Sequence, residues 1–163
     1  RRRPRLAFQV RRVITGHDAD GRAVVKIDEV CKHAFTGRPG ATGINVWTTE
    51  GFPAENDGAE DAGLRKVGMT LPGGSIFRIL EFAPGLAPRN HRTDSIDYIV
   101  VLSGEIDMEL DDTVVHLKAG DVLVQRGTIH NWVNRGTQPC LLAVILIAAK
   151  PVEAGGKTLN AVG

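Results

Sequence analysis

Short apolar stretches of period two, each closed by a glycine turn, recur along this chain, and no run of helical periodicity competes with them. "AVVKIDEV" (Ala23–Val30), "TGINVWTT" (Thr42–Thr49) and "SIFRILEFAP" (Ser75–Pro84) are examples. "DYIVVLSGEIDMEL" carries Ser103-Gly104 as a turn in its middle, and "TVVHLKAGDVLVQRG" turns at Ala119-Gly120-Asp121. "IHNWVNRGTQP" follows, and then "CLLAVILIAA" (Cys140–Ala149). Alternation sends every second side chain to one face, so each stretch reads as a strand with one side turned inward. Strands repeating every ten residues or so, without helices between them, point to an antiparallel sandwich or barrel. Near the start, "AFQVRRVI" (Ala7–Ile14) and Ala23–Val30 flank "TGHDADGR", where Asp20-Gly21 is a hairpin turn signal. The Asp18-x-Asp20-Gly21 fragment lacks the later acidic ligands of a calcium loop and reads as a turn.

At 163 residues the chain fits one structural domain. Within it we expect an N-terminal strand or arm region (1–70) packing on a barrel, a barrel core (71–150) and a peripheral tail (151–163). The segment 50–63, "EGFPAENDGAEDAG", carries five carboxylates and three glycines. It reads as a long surface loop and is the best candidate for a lid or insertion.

Cys140–Ala149 is about half the length needed to cross a bilayer and reads as a buried strand, so no membrane partner is expected. Net charge is +1, which gives no case for nucleic acid as a partner. Six of the twenty basic residues (Arg1, Arg2, Arg3, Arg5, Arg11, Arg12) do crowd the first twelve positions. Without interleaved aromatic residues they read as a solvated terminus. That basic start is not followed by the apolar run of a secretory leader, and the missing initiator Met points to a trimmed chain. Cys31 and Cys140 stand far apart and outside any CxxC pattern, so the expectation is reduced thiols and a cytoplasmic location.

Three side chains with ligand chemistry fall in the strand-rich half: His91, Asp97 and His130. Thr93, Asp94 and His116 are nearby alternatives. On one strand His91 and Thr93 share a face, Asp97 shares its face with Ile99 and Val101, and His130 shares its face with Trp132 and Asn134. If the sheet closes, these strand ends converge at its mouth as a two-histidine, one-carboxylate set with open positions. Arg78 sits among Ile76, Leu80 and Phe82. A buried guanidinium needs a partner, either a substrate carboxylate or phenolate or a glutamate such as Glu81 or Glu105. Arg89 and Arg126 are candidates for the rim. His116 reads as structural, and His17 and His33 have no acidic or histidine partners at ligand spacing.

The spacing resembles that of the cupins. Their first motif, G-x5-H-x-H-x3-4-E-x6-G, is matched by Gly85, His91, Thr93, Asp97 and Gly104. "GDVLVQRGTIHNWVN" supplies Gly120, Gly127, His130 and Asn134 of the second motif, one residue short and with Gln125 where proline is usual. The resemblance spans roughly Gly73–Ala149 and implies an all-β double-stranded β-helix, or jelly-roll barrel, with additional N-terminal strands. It also implies a homodimer. A full cupin ligand set is three histidines and a glutamate, and here Thr93 and Asp97 replace two of the four. What remains implies a divalent ion (Fe, Mn, Ni or Zn) on His91, Asp97 and His130. Substrate would lie against Arg78, Thr93, Trp132 and Met108, in a pocket suited to a small aromatic, polyketide-like or terpenoid molecule. The leading expectation is a metal-dependent enzyme of the dioxygenase, isomerase, decarboxylase, cyclase or dehydratase type, acting on a small organic substrate. A metal-free enzyme using His/Asp acid–base chemistry and a non-catalytic small-molecule binding protein are the alternatives.

Overall fold

A computed structural model describes residues 8–163. Arg1, Arg2, Arg3 and Arg5, and the first residue of the strand expected at Ala7–Ile14, lie outside the described residues. Arg11 and Arg12 belong to no tail. They open β1 (Arg11–His17), which pairs antiparallel with β2 (Ala23–Val30). Between them the Asp18 carboxylate accepts hydrogen bonds from the amides of Asp20 (2.9 Å) and Arg22 (3.0 Å), the geometry of a turn. Arg12 is 3% exposed. Its guanidinium ties the hairpin to the loop through Asp61 and to β2 through Glu29 at 2.8 Å.

The strands that follow are β3 (Phe35–Thr36), β4 (Ala41–Glu50), β5 (Gly74–Phe82) and β6 (Ser95–Ser103). Then come β7 (Glu105–Glu109), β8 (Val114–Lys118), β9 (Val122–Arg126), β10 (Asn131–Val133) and β11 (Cys140–Ala148). The chain ends in a small hairpin of β12 (Val152–Ala154) and β13 (Lys157–Leu159). Among the described residues the helical content is one 3-10 turn at Ala62–Leu64.

Two antiparallel sheets face each other. One has six strands in the order β3-β4-β5-β11-β6-β9, and the other has three in the order β10-β7-β8. The run Cys140–Ala148 is apolar throughout because β11 is paired on both edges, to β5 and to β6. Inward residues of both sheets form one core. Ile76, Phe82, Ile99, Val101, Cys140, Leu142, Val144 and Leu146 come from the larger sheet, and Ile106, Met108, Leu117 and Trp132 from the smaller. Burying a side chain of this size contributes about 1.5–3 kcal/mol, and these core side chains clamp the two sheets together.

The larger sheet crosses the boundary expected at residue 70, since β4 pairs with β5 from Ala41–Phe82 to Glu50–Gly74. The N-terminal region therefore supplies barrel wall as well as an added hairpin. The turn from β6 to β7 depends on Gly104, whose φ is +75°. A Cβ there would sit 2.5 Å from the Pro139 carbonyl oxygen, so glycine is required twice over. On the outer face of β6 and β9, Tyr98 pairs with Val124 and Val100 with Val122, leaving these four and Leu102 as an exposed apolar stripe.

Candidate active site

The polar face of the barrel mouth begins with one backbone relationship. His91 and His130 form an isolated antiparallel bridge in which each N–H donates to the other's carbonyl at 3.0 Å. Directly opposed residues project their side chains to the same side, and the two rings lie 4.3 Å apart at their centroids. Trp132, two residues beyond His130, meets the His130 ring edge-on at 5.8 Å.

Each imidazole has its Nδ1 fixed by backbone. His91 Nδ1–H donates to the Arg89 carbonyl at 3.0 Å, and His130 Nδ1–H to the Thr128 carbonyl at 2.9 Å. That choice of tautomer follows from the acceptors and leaves Nε2 of both rings unprotonated. Burial lowers the pKa of both, His91 to about 4, and the charges of Arg38 and Arg89 push in the same direction. Both rings are therefore neutral near pH 7.

Asp97 stands on β6, opposite Gln125 of β9 and Leu146 of β11. Its Oδ1 accepts from the Ser95 hydroxyl at 2.6 Å, and Ser95 in turn contacts the Thr93 hydroxyl at 2.8 Å. Burial pushes the carboxyl above the usual range, while Ser95 and the charge of Arg78 pull it back. Gln125 donates its amide to the Thr128 carbonyl at 3.2 Å, the same oxygen that holds His130 Nδ1–H, so the strand beside Asp97 braces the histidine through that carbonyl.

Arg78 is 5% exposed and projects from β5. Its Nη2 donates to the Gly68 carbonyl at 3.1 Å and its guanidinium lies over the Phe35 ring at 5.4 Å. Its Nε has no hydrogen-bond partner among the described residues. Burial lowers this guanidinium's pKa to about 10, with Asp97 acting against that shift.

His91, Asp97, His130, Arg78 and Trp132 all line one cavity between the sheets, together with Arg38, Arg89 and apolar residues including Leu80, Ile99 and Val144. Two residues expected to contact substrate, Met108 and Thr93, do not line this cavity. Met108 is 3% exposed within the core, because β7 turns it toward the opposite sheet. Thr93 is engaged with Ser95 and is absent from the lining. Arg126 is exposed and also absent from it. The acidic segment 50–63 contributes nothing to the cavity, since it packs beside β1 and β4 and is anchored by Asp61. Arg38, Phe35 and Met69 were missed by sequence reasoning, being distant from both motifs. The one available signal was Arg38 within "TGRPG", a charged residue in a turn leading into a strand.

The expected ion site is only partly assembled. Two Nε2 atoms on facing histidines fit a divalent metal, whose imidazole ligands characteristically have the other nitrogen held by a carbonyl. Asp97 does not complete them. Among the described residues, the one group of three donors lying within 4.8 Å of one another is Glu29, Cys31 and His33. This corrects the expectation that His33 has no acidic partner. Alternate positions of an extended segment bring the three to one face, where Glu29 is ion-paired with Arg12 and His33 Nε2 donates to the Asn45 carbonyl at 2.7 Å. His116, outside the cavity, pairs with Asp107 at 2.7 Å.

Two facing antiparallel sheets with an imidazole pair at the mouth of the enclosed cavity define a cupin-type barrel. Residues 78–146 match the Cupin domain family. Cupin-domain-containing oxidoreductase fogC of Aspergillus ruber is 35% identical over 160 residues, covering 93% of this chain and 79% of that protein. Oryzines biosynthesis cluster protein J of Aspergillus oryzae is 35% identical over 162 residues, covering 93% and 90%. Phomopsin biosynthesis cluster protein C' of Diaporthe leptostromiformis is 50% identical over 97 residues, covering 58% of this chain. That match spans about half the length of the phomopsin protein, 51%. The chain belongs to the cupin family.

Proposed function

We propose that this cupin is an enzyme of small-molecule biosynthesis that moves a proton on an oxygenated, largely apolar substrate. The observation that carries the reading is the His91–His130 bridge: two neutral imidazoles, each with Nδ1 held by a carbonyl, facing one cavity. A neutral Nε2 near pH 7 is a competent general base. Proton abstraction beside a carbonyl sends the C–H electron pair toward the carbonyl oxygen, and the imidazolium formed at the abstracting ring returns the proton from its Nε2 to that oxygen or to a neighbouring carbon. Arg78 supports negative charge developing on oxygen, in a site where the apolar lining excludes water. Relatives named as biosynthesis cluster proteins support a small organic substrate. We place the protein in the cytoplasm, which suits its two free cysteines. We further propose a homodimer, supported by the exposed apolar stripe on β6 and β9.

The test is incorporation of solvent deuterium into carbonyl-bearing substrates, followed by NMR. His91→Gln and His130→Gln are each expected to slow exchange by about 10²–10⁴. Exchange that survives both substitutions overturns the reading.

A metal-dependent oxidoreductase is the second reading. It is favoured by the two free Nε2 atoms and by the name of the Aspergillus ruber relative, a cupin-domain-containing oxidoreductase. Elemental analysis separates the two: a stoichiometric divalent ion, lost in His91→Gln, favours the second.

A further inference from the structure

The cavity carries more positive charge than its own residues answer. Three guanidiniums, Arg38, Arg78 and Arg89, line it against a single carboxylate, Asp97. Arg78 interacts electrostatically with Asp97, but the two form no close ion pair. Arg38 forms no ion pair among the described residues. Its Nε donates to the Ala87 carbonyl at 2.7 Å, its Cζ lies 5.5 Å from the Phe82 ring centroid, and the like charge of Arg89 acts on it. Arg78 is buried and Arg38 half-buried, and each has one nitrogen with no hydrogen-bond partner among the described residues, Arg38 Nη2 and Arg78 Nε.

A buried donor left without an acceptor costs about 1–3 kcal/mol, more when it is charged. The two residues that carry these donors both line one cavity, and that cavity is where an acceptor for each guanidinium is missing. Both guanidiniums stack on aromatic rings, which holds their planes in place before a ligand arrives and limits the entropy lost on binding it. The two are separate poles. Arg78 acts on Asp97, while Arg38 and Arg89 act on the two histidines. Between the poles the lining is apolar, with Leu80, Ile99, Leu142 and Val144.

We propose that the ligand is an organic acid with oxygen functions at both ends. Its carboxylate docks on Arg38 beside the imidazole pair, a second oxygen (hydroxyl or carbonyl) accepts from Arg78, and an apolar body spans the space between. This names the substrate class for the site described above and rests on that cavity being the active site. A neutral hydrocarbon or terpenoid without an acid group is disfavoured, because it would leave both guanidinium nitrogens unanswered.

The experiment is calorimetric titration of the intact chain with 4-hydroxybenzoate, benzoate and the neutral isostere benzamide. We expect 4-hydroxybenzoate to bind more tightly than benzoate, and benzamide at least about tenfold more weakly than benzoate. Arg38→Met removes the preference for acid over amide. Arg78→Met removes the advantage of the second oxygen while keeping that preference. Arg38→Lys retains part of the acid preference, and because it keeps the charge it serves where the methionine variant fails to fold. Benzamide binding as tightly as benzoate, no binding by either acid, or an acid preference that survives Arg38→Met overturns the proposal. Binding is read without turnover, so the two proposals fail separately. Acids that bind while exchange survives both His91→Gln and His130→Gln overturn only the proton-transfer reading. Loss of exchange in His91→Gln without acid selectivity overturns only this one.

Discussion

His91 and His130 are cross-strand partners: their backbones exchange two hydrogen bonds of 3.0 Å and their rings meet on the inner side at 4.3 Å. The backbones that carry the two rings cannot part without breaking a bridge between two segments that are far apart in sequence. The pair behaves as one unit, and the consequences of protonating or removing either member follow from that.

Acid should destabilise the fold through this pair. Burial depresses His91 from 6.5 to about 4 and lowers His130 as well. As pH falls below 6.5 the unfolded chain therefore takes up protons before the folded one. The stability these groups contribute is complete above 6.5 and drains away toward pH 4, by on the order of 3 kcal/mol for His91. Asp97, pushed upward, works in the opposite sense and offsets part of the loss. Urea unfolding between pH 7 and pH 4 measures the slope, which His91→Asn should flatten.

Met108→Ala separates core from cavity. The side chain is buried between the sheets and does not line the cavity, so truncation should cost about 2–4 kcal/mol and leave ligand affinity within about twofold. Trp132 touches both, and Trp132→Phe should change affinity as well as stability. Paired unfolding and binding titrations of the two variants check this.

Gly104→Ala should be one of the most damaging single-methyl changes in the chain. Left-handed backbone and a 2.5 Å approach to the Pro139 carbonyl oxygen act together, for a loss of about 2 kcal/mol or more. Because the turn joins the two sheets, the loss should appear as a lower midpoint with an unchanged denaturant slope.

Val124→Lys, in the middle of the exposed stripe, should weaken self-association without altering the cavity on the opposite face of the sheet. Sedimentation velocity over a range of concentrations reads the first effect and ligand titration the second.

The barrel was legible because alternation and glycine turns are local signals, and strands as different as Thr42–Thr49 and Cys140–Ala149 carried them. His91, Asp97 and His130 were legible as cavity residues because motif spacing fixes which strand end each occupies. What spacing could not convey was side-chain direction. Asp97 turns to Ser95 two residues earlier on its own strand, and Met108 faces the opposite sheet. Arg38 was obscured for another reason: β3 and β4 extend the barrel sheet from the N-terminal region, and the turn signal in "TGRPG" does not tell that a loop before residue 41 borders a cavity lined mostly from residues 78–146.

Cys140 has no exposed surface, begins the central strand, and has its thiol pushed up to about 11 by burial. An alkylating reagent meets a reactive thiolate only when that strand leaves the sheet, whereas half-buried Cys31 lies at the periphery. In a Cys31→Ser background, the rate at which iodoacetamide consumes the remaining thiol becomes a built-in clock for opening of the whole barrel, readable by mass without denaturant or dye.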